Sequence, residues 1–417
     1  MSLEWAAYRL LAPVIGSLAP MARWFTSPHE RALWNERLGD VAEADGCDAW
    51  VHAASLGEAL AVPALTRELL ALAPRAQLRV SATTRTGRGR LADLGLPVSL
   101  APLDTPQAVA RFFARVRPQR LMLIETELWP HWLLRAREAR TPVVVVSARL
   151  SERSVVRYRR FGSEFRALVG RLAGVVAQGD DDAERWIEIG ALPDRVAVAG
   201  NLKHDALPDP PPSRGAARAA VGLERDVPLL VLGSLRPGEA AVLAHAWLAV
   251  PEALRRAWQV VAVPRHARAT LELAEEAAVA GVRAHDQGGV PGATWRWDGR
   301  PGVLPGYYAG ADVAFVGGSV VRRGGHNPLE PAASGVAVLM GPHHSAQLEG
   351  VRALEANGAI AIVRGAEDAA VTLERLLGDA RARERQALAG RAVADSLRGV
   401  ARRTVARLAA WDVWPPK

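Results

Sequence analysis

The chain has 417 residues, of which 49% are apolar and 23% charged. That length exceeds the roughly 250–300 residues a single core supports, and the composition excludes a disordered or fibrous chain. One cysteine, Cys47, excludes a disulfide framework and points to a reducing compartment, while a formal net charge of +8 favours anionic partners.

Nucleic acid is a weak candidate among such partners. The arginines are scattered along the whole chain, with no aromatic-interleaved basic patch and no zinc-ligand spacing. Of 52 Lys plus Arg, only Lys203 and Lys417 are lysine. Lys203 follows an apolar run in "GNLKHD", so a compact ammonium in that place has either a purpose or a chance origin.

The N-terminus, "MSLEWAAYRLLAPVIGSLAPMARWF", is apolar but interrupted by Pro13 and Pro20. Its longest uncharged stretch, Leu10 to Ala22, is shorter than the roughly 20 residues a spanning helix needs. It lacks a small-residue cleavage site after a basic start, which speaks against a signal peptide. The expectation is a helix over residues 1–25 lying in a membrane interface, flanked by Trp5, Arg23 and Trp24; the alternative is a core helix.

Short β-rich runs and helical stretches then alternate. "AWVHAAS", "QLRVSAT", "RLMLIE", "PVVVVSA", "AGVVAQ" and "RVAVAG" read as strands, and "EALAVPALTRELLALA", "AVARFFARV", "HWLLRAREAR" and "DDAERWIEIG" as helices. Apolar strands without alternation, separated by helices, imply a parallel sheet covered on both faces. "LPDPPPSRG", residues 207–215, reads as a stiff linker. After it the rhythm restarts with "PLLVLGS", "QVVAVP", "DVAFVGG", "VAVLMG" and "AIAIV". The expected architecture is α/β, with two doubly wound Rossmann-like domains facing across a cleft, at 26–206 and 216–417.

In such domains ligands bind beyond the carboxyl ends of the strands. Polar groups gather there: Glu58 in "ASLGE", Glu125 and Glu127 in "IETELWP", Ser234 and Gly238 in "GSLRPGE", and Arg265 in "VPRH". Each acid has the alternative of a charge complementing a helix start. "FVGGSVVRRGGHNPLEPAASG", residues 315–335, combines glycines with a helix opened by Asn327 as N-cap and Pro328 at the first helical position. Bare backbone and unpaired N–H groups suit the phosphate of a nucleotide, and Glu330 suits sugar hydroxyls; the alternative is a tight structural turn.

Taken in order, "ASLGE", "ETELWP", "ARLSERS", "GNLKHD", "VPRH" and the long glycine-rich stretch resemble the 3-deoxy-D-manno-octulosonic acid (Kdo) transferase family of GT-B fold, over almost the whole chain. The resemblance implies transfer of Kdo from CMP-Kdo to the lipid A precursor with inversion, on the cytoplasmic side of the inner membrane, in lipopolysaccharide biosynthesis. It implies Glu58 as general base and Glu125 and Lys203 as transition-state stabilisers. Ser234, Pro264, Arg265, the stretch Pro301, Gly302 and Val303, and the stretch Asn327, Pro328, Leu329 and Glu330 are implied to hold CMP. Val303 stands where Glu is common in the family, and Leu235-Arg236 where Thr-His is common. No metal and no cofactor is implied, and anionic membrane lipid is an expected partner. The competing readings are a UDP-sugar enzyme of similar fold, either transferase or epimerase, and a non-catalytic membrane-surface protein.

Overall fold

A computed structural model describes residues 2–287 and 292–416. The Arg23 side chain, expected to flank a membrane-facing helix, and Lys417 lie outside the described residues. The chain divides into two compact units, Met1–Ala206 together with Gly399–Lys417, and Leu207–Arg398.

The first unit holds a parallel seven-stranded sheet. Its strands are β1 (Ala49–Ala53), β2 (Leu78–Ala82), β3 (Val98–Leu100), β4 (Leu121–Ile124), β5 (Val143–Ala148), β6 (Gly174–Ala177) and β7 (Val196–Val198), in the order β3-β2-β1-β4-β5-β6-β7. Helices cover both faces, so β5, "VVVVSA", is buried at every position. On one face Trp50 packs against Phe112 and Trp132, with ring centroids 4.4 and 4.7 Å apart. On the other, Val51, Val80 and Met122 meet Leu65, Leu69 and Leu408.

The second unit repeats the plan with β8 (Leu229–Leu235), β9 (Gln259–Pro264), β10 (Arg283–Ala284), β11 (Thr294–Trp297), β12 (Val313–Val316), β13 (Ala337–Met340) and β14 (Ile360–Ile362). Their order is β10-β11-β9-β8-β12-β13-β14, again parallel. In each sheet the order reverses beside the unit's first strand: between β1 and β4 in one, between β8 and β12 in the other. Such a reversal opens a crevice at the carboxyl ends of the two strands, which is where doubly wound sheets bind ligands.

The C-terminal segment corrects the sequence reading, which assigned it to the second domain. Helix Val400–Ala410 packs in the core of the first unit, where Val400, Leu408 and Trp414 are buried. The Asp205 carboxylate accepts the N–H groups of Gly399, Val400 and Ala401, at 2.5, 3.1 and 2.6 Å, and so caps that helix. The Trp414 indole donates to the Leu69 carbonyl at 3.0 Å. Residues 207–213, which open the second unit, carry no helix or strand, and helix Arg214–Ala220 follows.

At the N-terminus, Ser2 caps the helix Leu3–Leu18, and a 3-10 turn over Ala19–Phe25 continues it. One face is anchored. Trp5 is 2% exposed and packs edge-on against Phe161, and the Tyr8 hydroxyl donates to Asp104. Asp104 in turn accepts the N–H groups of His131 and Trp132. The other face is bare: Leu10, Leu11, Val14, Ile15 and Leu18 are all more than half exposed. Among the described residues no helix is long and apolar enough to cross a membrane.

Candidate functional site

Glu58 lies just past β1, at the switch point of the first sheet. Ser55 and Glu58 form a reciprocal cap: the Glu58 N–H donates to Ser55 Oγ at 3.3 Å, and the Ser55 hydroxyl donates to Glu58 Oε1 at 2.9 Å. Oε2 accepts the Ala54 N–H at 2.7 Å. The capping alternative is therefore real, and it leaves room for chemistry. Burial, reinforced by the neighbouring charge of Glu125, pushes the Glu58 carboxyl up to about 7 despite those hydrogen bonds. A carboxylate that titrates near neutrality is suited to taking a proton.

Glu125 follows β4, the strand across the crevice from β1. Its φ is +63°, a left-handed conformation costly for a non-glycine residue. That turn aims the carboxylate at Lys203, whose ammonium donates to Oε1 at 2.5 Å. Lys203 is positioned in turn from β5 and β6. Ser147, also left-handed at φ +50°, accepts on Oγ from the Leu202 N–H and the Gln178 amide. Gln178 Oε1 accepts from Asn201, and Asn201 Oδ1 accepts the Lys203 N–H at 3.0 Å. The three acid and base residues singled out in the first domain thus meet around one crevice.

Glu127 enters the same neighbourhood from the buried side. His52, fully buried on β1, sits 2.9 Å from Ser81 Oγ through Nδ1 and 3.8 Å from Glu127 Oε2 through Nε2. Burial pushes the Glu127 carboxyl up, but His52 and the Trp129 indole outweigh it and hold it below the usual range. The sequence placed Glu127 at a strand end without giving it this partner. Glu36, in "NERLG" ahead of the first strand, is engaged by other partners. Arg88 grips it with two bonds at 2.8 and 2.7 Å, and the Leu100 N–H adds a third.

In the second unit Ser234, Pro264, Arg265 and the loop after β12 lie at strand ends around the β8–β12 switch point. Ser234 is buried and left-handed at φ +57°, beside a register shift between β8 and β9. The helix expected from Pro328 begins one residue later, at Leu329. Asn327 still serves it, with Oδ1 accepting the Leu329 N–H at 3.0 Å and Nδ2 donating to Glu330. Burial pushes the Glu330 carboxyl up against the opposing effects of Asn327 and Arg265. Pro301, Gly302 and Val303 form the turn before helix Leu304–Gly310. Arg300 and Tyr307 both bond Asp298 and so frame that turn.

The glycine run itself requires a correction. Its N–H groups at Gly318, Ser319 and Val320 point at Glu239, with bonds of 2.7, 2.9 and 3.0 Å, rather than at an open anion site. The same carboxylate accepts the Arg236 N–H at 2.9 Å and is fully buried. A Cβ on Gly317 would stand 2.6 Å from the Ser234 carbonyl and 2.8 Å from Glu239, so glycine is required for this approach. Glu239 was missed because it reads as a helix-start charge. The signal was an acid one residue past Gly238, opening the helix "EAAVLAHAWLA", whose only other ionisable residue is His245.

Comparison with known proteins bears on these sites. The family described as 3-deoxy-D-manno-octulosonic-acid transferase (kdotransferase) matches residues 32–206. The 3-deoxy-D-manno-octulosonic acid transferase of Bordetella pertussis is 35% identical over 383 residues, covering 87% of each chain. The chain belongs to the Kdo transferase family. The relative of the same description from Haemophilus influenzae is 29% identical over 394 residues, covering 90% of this chain and 91% of its own. Among solved structures, the fold resembles Anabaena HepE in complex with UDP, with a TM-score of 0.58 at 14% identity over 87% of this chain and 99% of that one. It also resembles a UDP-N-acetylglucosamine 2-epimerase from Listeria monocytogenes, with a TM-score of 0.60 at 16% identity over 88% and 96%. At that identity these two likenesses establish the GT-B fold of this Kdo transferase family member, and nothing about its ligand.

Proposed function

We propose that the chain moves Kdo from CMP-Kdo to the lipid A precursor, with inversion at the anomeric carbon, on the cytoplasmic side of the inner membrane. The observation that carries this reading is Glu58 at the β1–β4 switch point, a carboxyl raised to about 7 by burial and by Glu125.

In this reading Glu58 takes the proton of an acceptor hydroxyl. The hydroxyl oxygen bonds the anomeric carbon from the face opposite the phosphate. The carbon–oxygen bond to that phosphate breaks, and CMP leaves with the electron pair. Glu125 and Lys203, held at 2.5 Å, stabilise charge as it develops. CMP is held by Ser234, Pro264, Arg265, Pro301–Val303 and Asn327–Glu330. Arg265 stands ready for the phosphate and Glu330 for sugar hydroxyls.

The bare apolar face of helix Leu3–Leu18, together with the exposed Met21, Trp24 and Phe25 beyond it, supports membrane association in this reading. The net charge of +8 adds attraction to anionic lipid.

The test is a transfer assay with CMP-Kdo and lipid A precursor, with the product read by mass. The expected product carries added Kdo, and a UDP-sugar donor gives none. Turnover with a UDP-sugar, or none with CMP-Kdo, would overturn the reading.

A further inference from the structure

Because Glu239 accepts the N–H groups of Gly318, Ser319 and Val320, those donors are not open to a ligand anion. Positive charge at this switch point has to come from side chains. Three arginines stand on two strand ends and on the loop after β12, segments that hydrogen bonds tie together. The Arg265 N–H bonds the Leu235 carbonyl at 3.0 Å, next to Arg236. The Arg236 and Val320 N–H groups share the Glu239 carboxylate. Arg323 stands three residues beyond Val320, in a turn closed by its own N–H on the Val321 carbonyl.

Among the described residues, none of Arg236, Arg265 and Arg323 forms a salt bridge. Arg236 Nε and His326 Nε2 are both buried without a hydrogen-bond partner. Burial, then the charges of Arg265 and Arg323, holds the Arg236 guanidinium below its ordinary range. Burial, then Arg265 and Arg236, drives His326 down to about 4, so it stays neutral. Cations gathered with so little compensation destabilise one another until an anion arrives, which marks a binding site.

A nucleotide-sugar phosphodiester brings one negative charge, which Arg265 suffices to meet. A donor sugar of the 2-keto acid class brings a second, a carboxylate on the same anomeric carbon that carries the phosphate. We propose that Arg236 and Arg323 form a subsite for the carboxylate of the donor sugar. The second unit would thereby select acidic sugars over neutral ones, and the subsite rests on the CMP-Kdo reading above. A planar guanidinium suits a carboxylate better than a lysine would.

The test uses full-length Arg236→Met and Arg323→Met, which keep bulk and lose charge. CMP affinity is measured by calorimetry and the KM for CMP-Kdo by transfer assay. The expected result is a KM raised by about 10–100-fold in each variant, the range for a lost charged hydrogen bond, with CMP affinity held within about twofold. Retained CMP affinity also shows that the variants fold. A parallel loss of CMP affinity would assign the guanidiniums to the phosphate and overturn the subsite; so would two unchanged constants. A wild-type chain that binds CMP yet transfers no Kdo would overturn the functional reading itself, and the subsite with it.

Discussion

At the scale of single residues, Glu58 is both a cap and a titrating group, and the two roles separate experimentally. Gln keeps an acceptor for the Ala54 N–H and an amide for Ser55 Oγ, so the cap survives Glu58→Gln. Basicity does not survive, and turnover should fall by roughly 10²–10⁴-fold. The acidity fixes a pH profile. A base works when deprotonated, so wild-type turnover should rise about tenfold per pH unit below a midpoint of about 7, then level off. Residual turnover of the variant should lack that limb. Stability moves in the opposite sense. The folded carboxyl holds its proton more tightly than its ordinary value of 4.5, so its contribution is full below 4.5 and is lost as pH rises through about 7. Melting of Glu58→Gln at pH 8 should therefore be no lower than wild type. A variant with near-normal turnover would reduce Glu58 to its cap. In the second unit, Arg265→Ala should weaken CMP by about 1.5–3 kcal/mol by calorimetry while leaving acceptor KM unchanged; undiminished CMP affinity would remove Arg265 from the site.

At the scale of elements, what the sequence made legible follows from how each element is stabilised. Strands such as β1, β5 and β12 are buried on both faces, and continuous apolar runs reveal them. β3, with three residues, β10, with two, and β11, with the half-exposed run "TWRW", escaped the sequence reading. They lie toward sheet edges; β3 and β10 are too short for an apolar run to stand out, and in β11 the exposed Arg296 interrupts one. Strand ends made Glu58, Glu125 and Arg265 visible. The partners that aim them stayed hidden, because the Ser147–Gln178–Asn201 relay to Lys203 and the capture of three loop N–H groups by Glu239 are contacts between distant segments. The C-terminal helix is the clearest case. It is joined to the first unit by contacts distant in sequence: Asp205, almost two hundred positions earlier, caps it, the Arg403 guanidinium donates to the Ala199 carbonyl, and Val400 and Leu408 pack in that unit's core. Asp205→Ala would orphan three N–H groups at once. It should cost about 1–2 kcal/mol, read as a lower urea midpoint. An unchanged midpoint would mean that water replaces the carboxylate and that apolar packing and the Arg403 bonds to Ala199 hold the helix without it.

At the scale of the whole molecule, no helix among the described residues is long and apolar enough to cross a membrane, so the proposed lipid acceptor raises the question of how the protein is held beside it. Removing residues 1–25 looks like the obvious experiment, but the structure argues against it. Trp5 is packed against Phe161 and Phe165, and the Tyr8 hydroxyl bonds Asp104, whose carboxyl burial pushes up to about 6. Truncation would open the first unit's core and confound loss of folding with loss of attachment. The outer face can be changed alone. Leu10, Leu11, Val14 and Leu18 are 54–73% exposed, and glutamine is a good helix former there. With all four replaced by Gln, melting should be preserved because the buried face is untouched. Binding to vesicles of mixed zwitterionic and anionic lipid should fall at least about tenfold, since each exposed aliphatic side chain contributes on the order of 1 kcal/mol or more when it enters the interface. Raising salt separates the two contributions: it should weaken whatever part of the binding comes from the net positive charge, and leave the apolar part intact. Unchanged vesicle binding by the four-Gln variant, abolished by salt, would assign attachment to the basic surface and leave the bare helix face without that role.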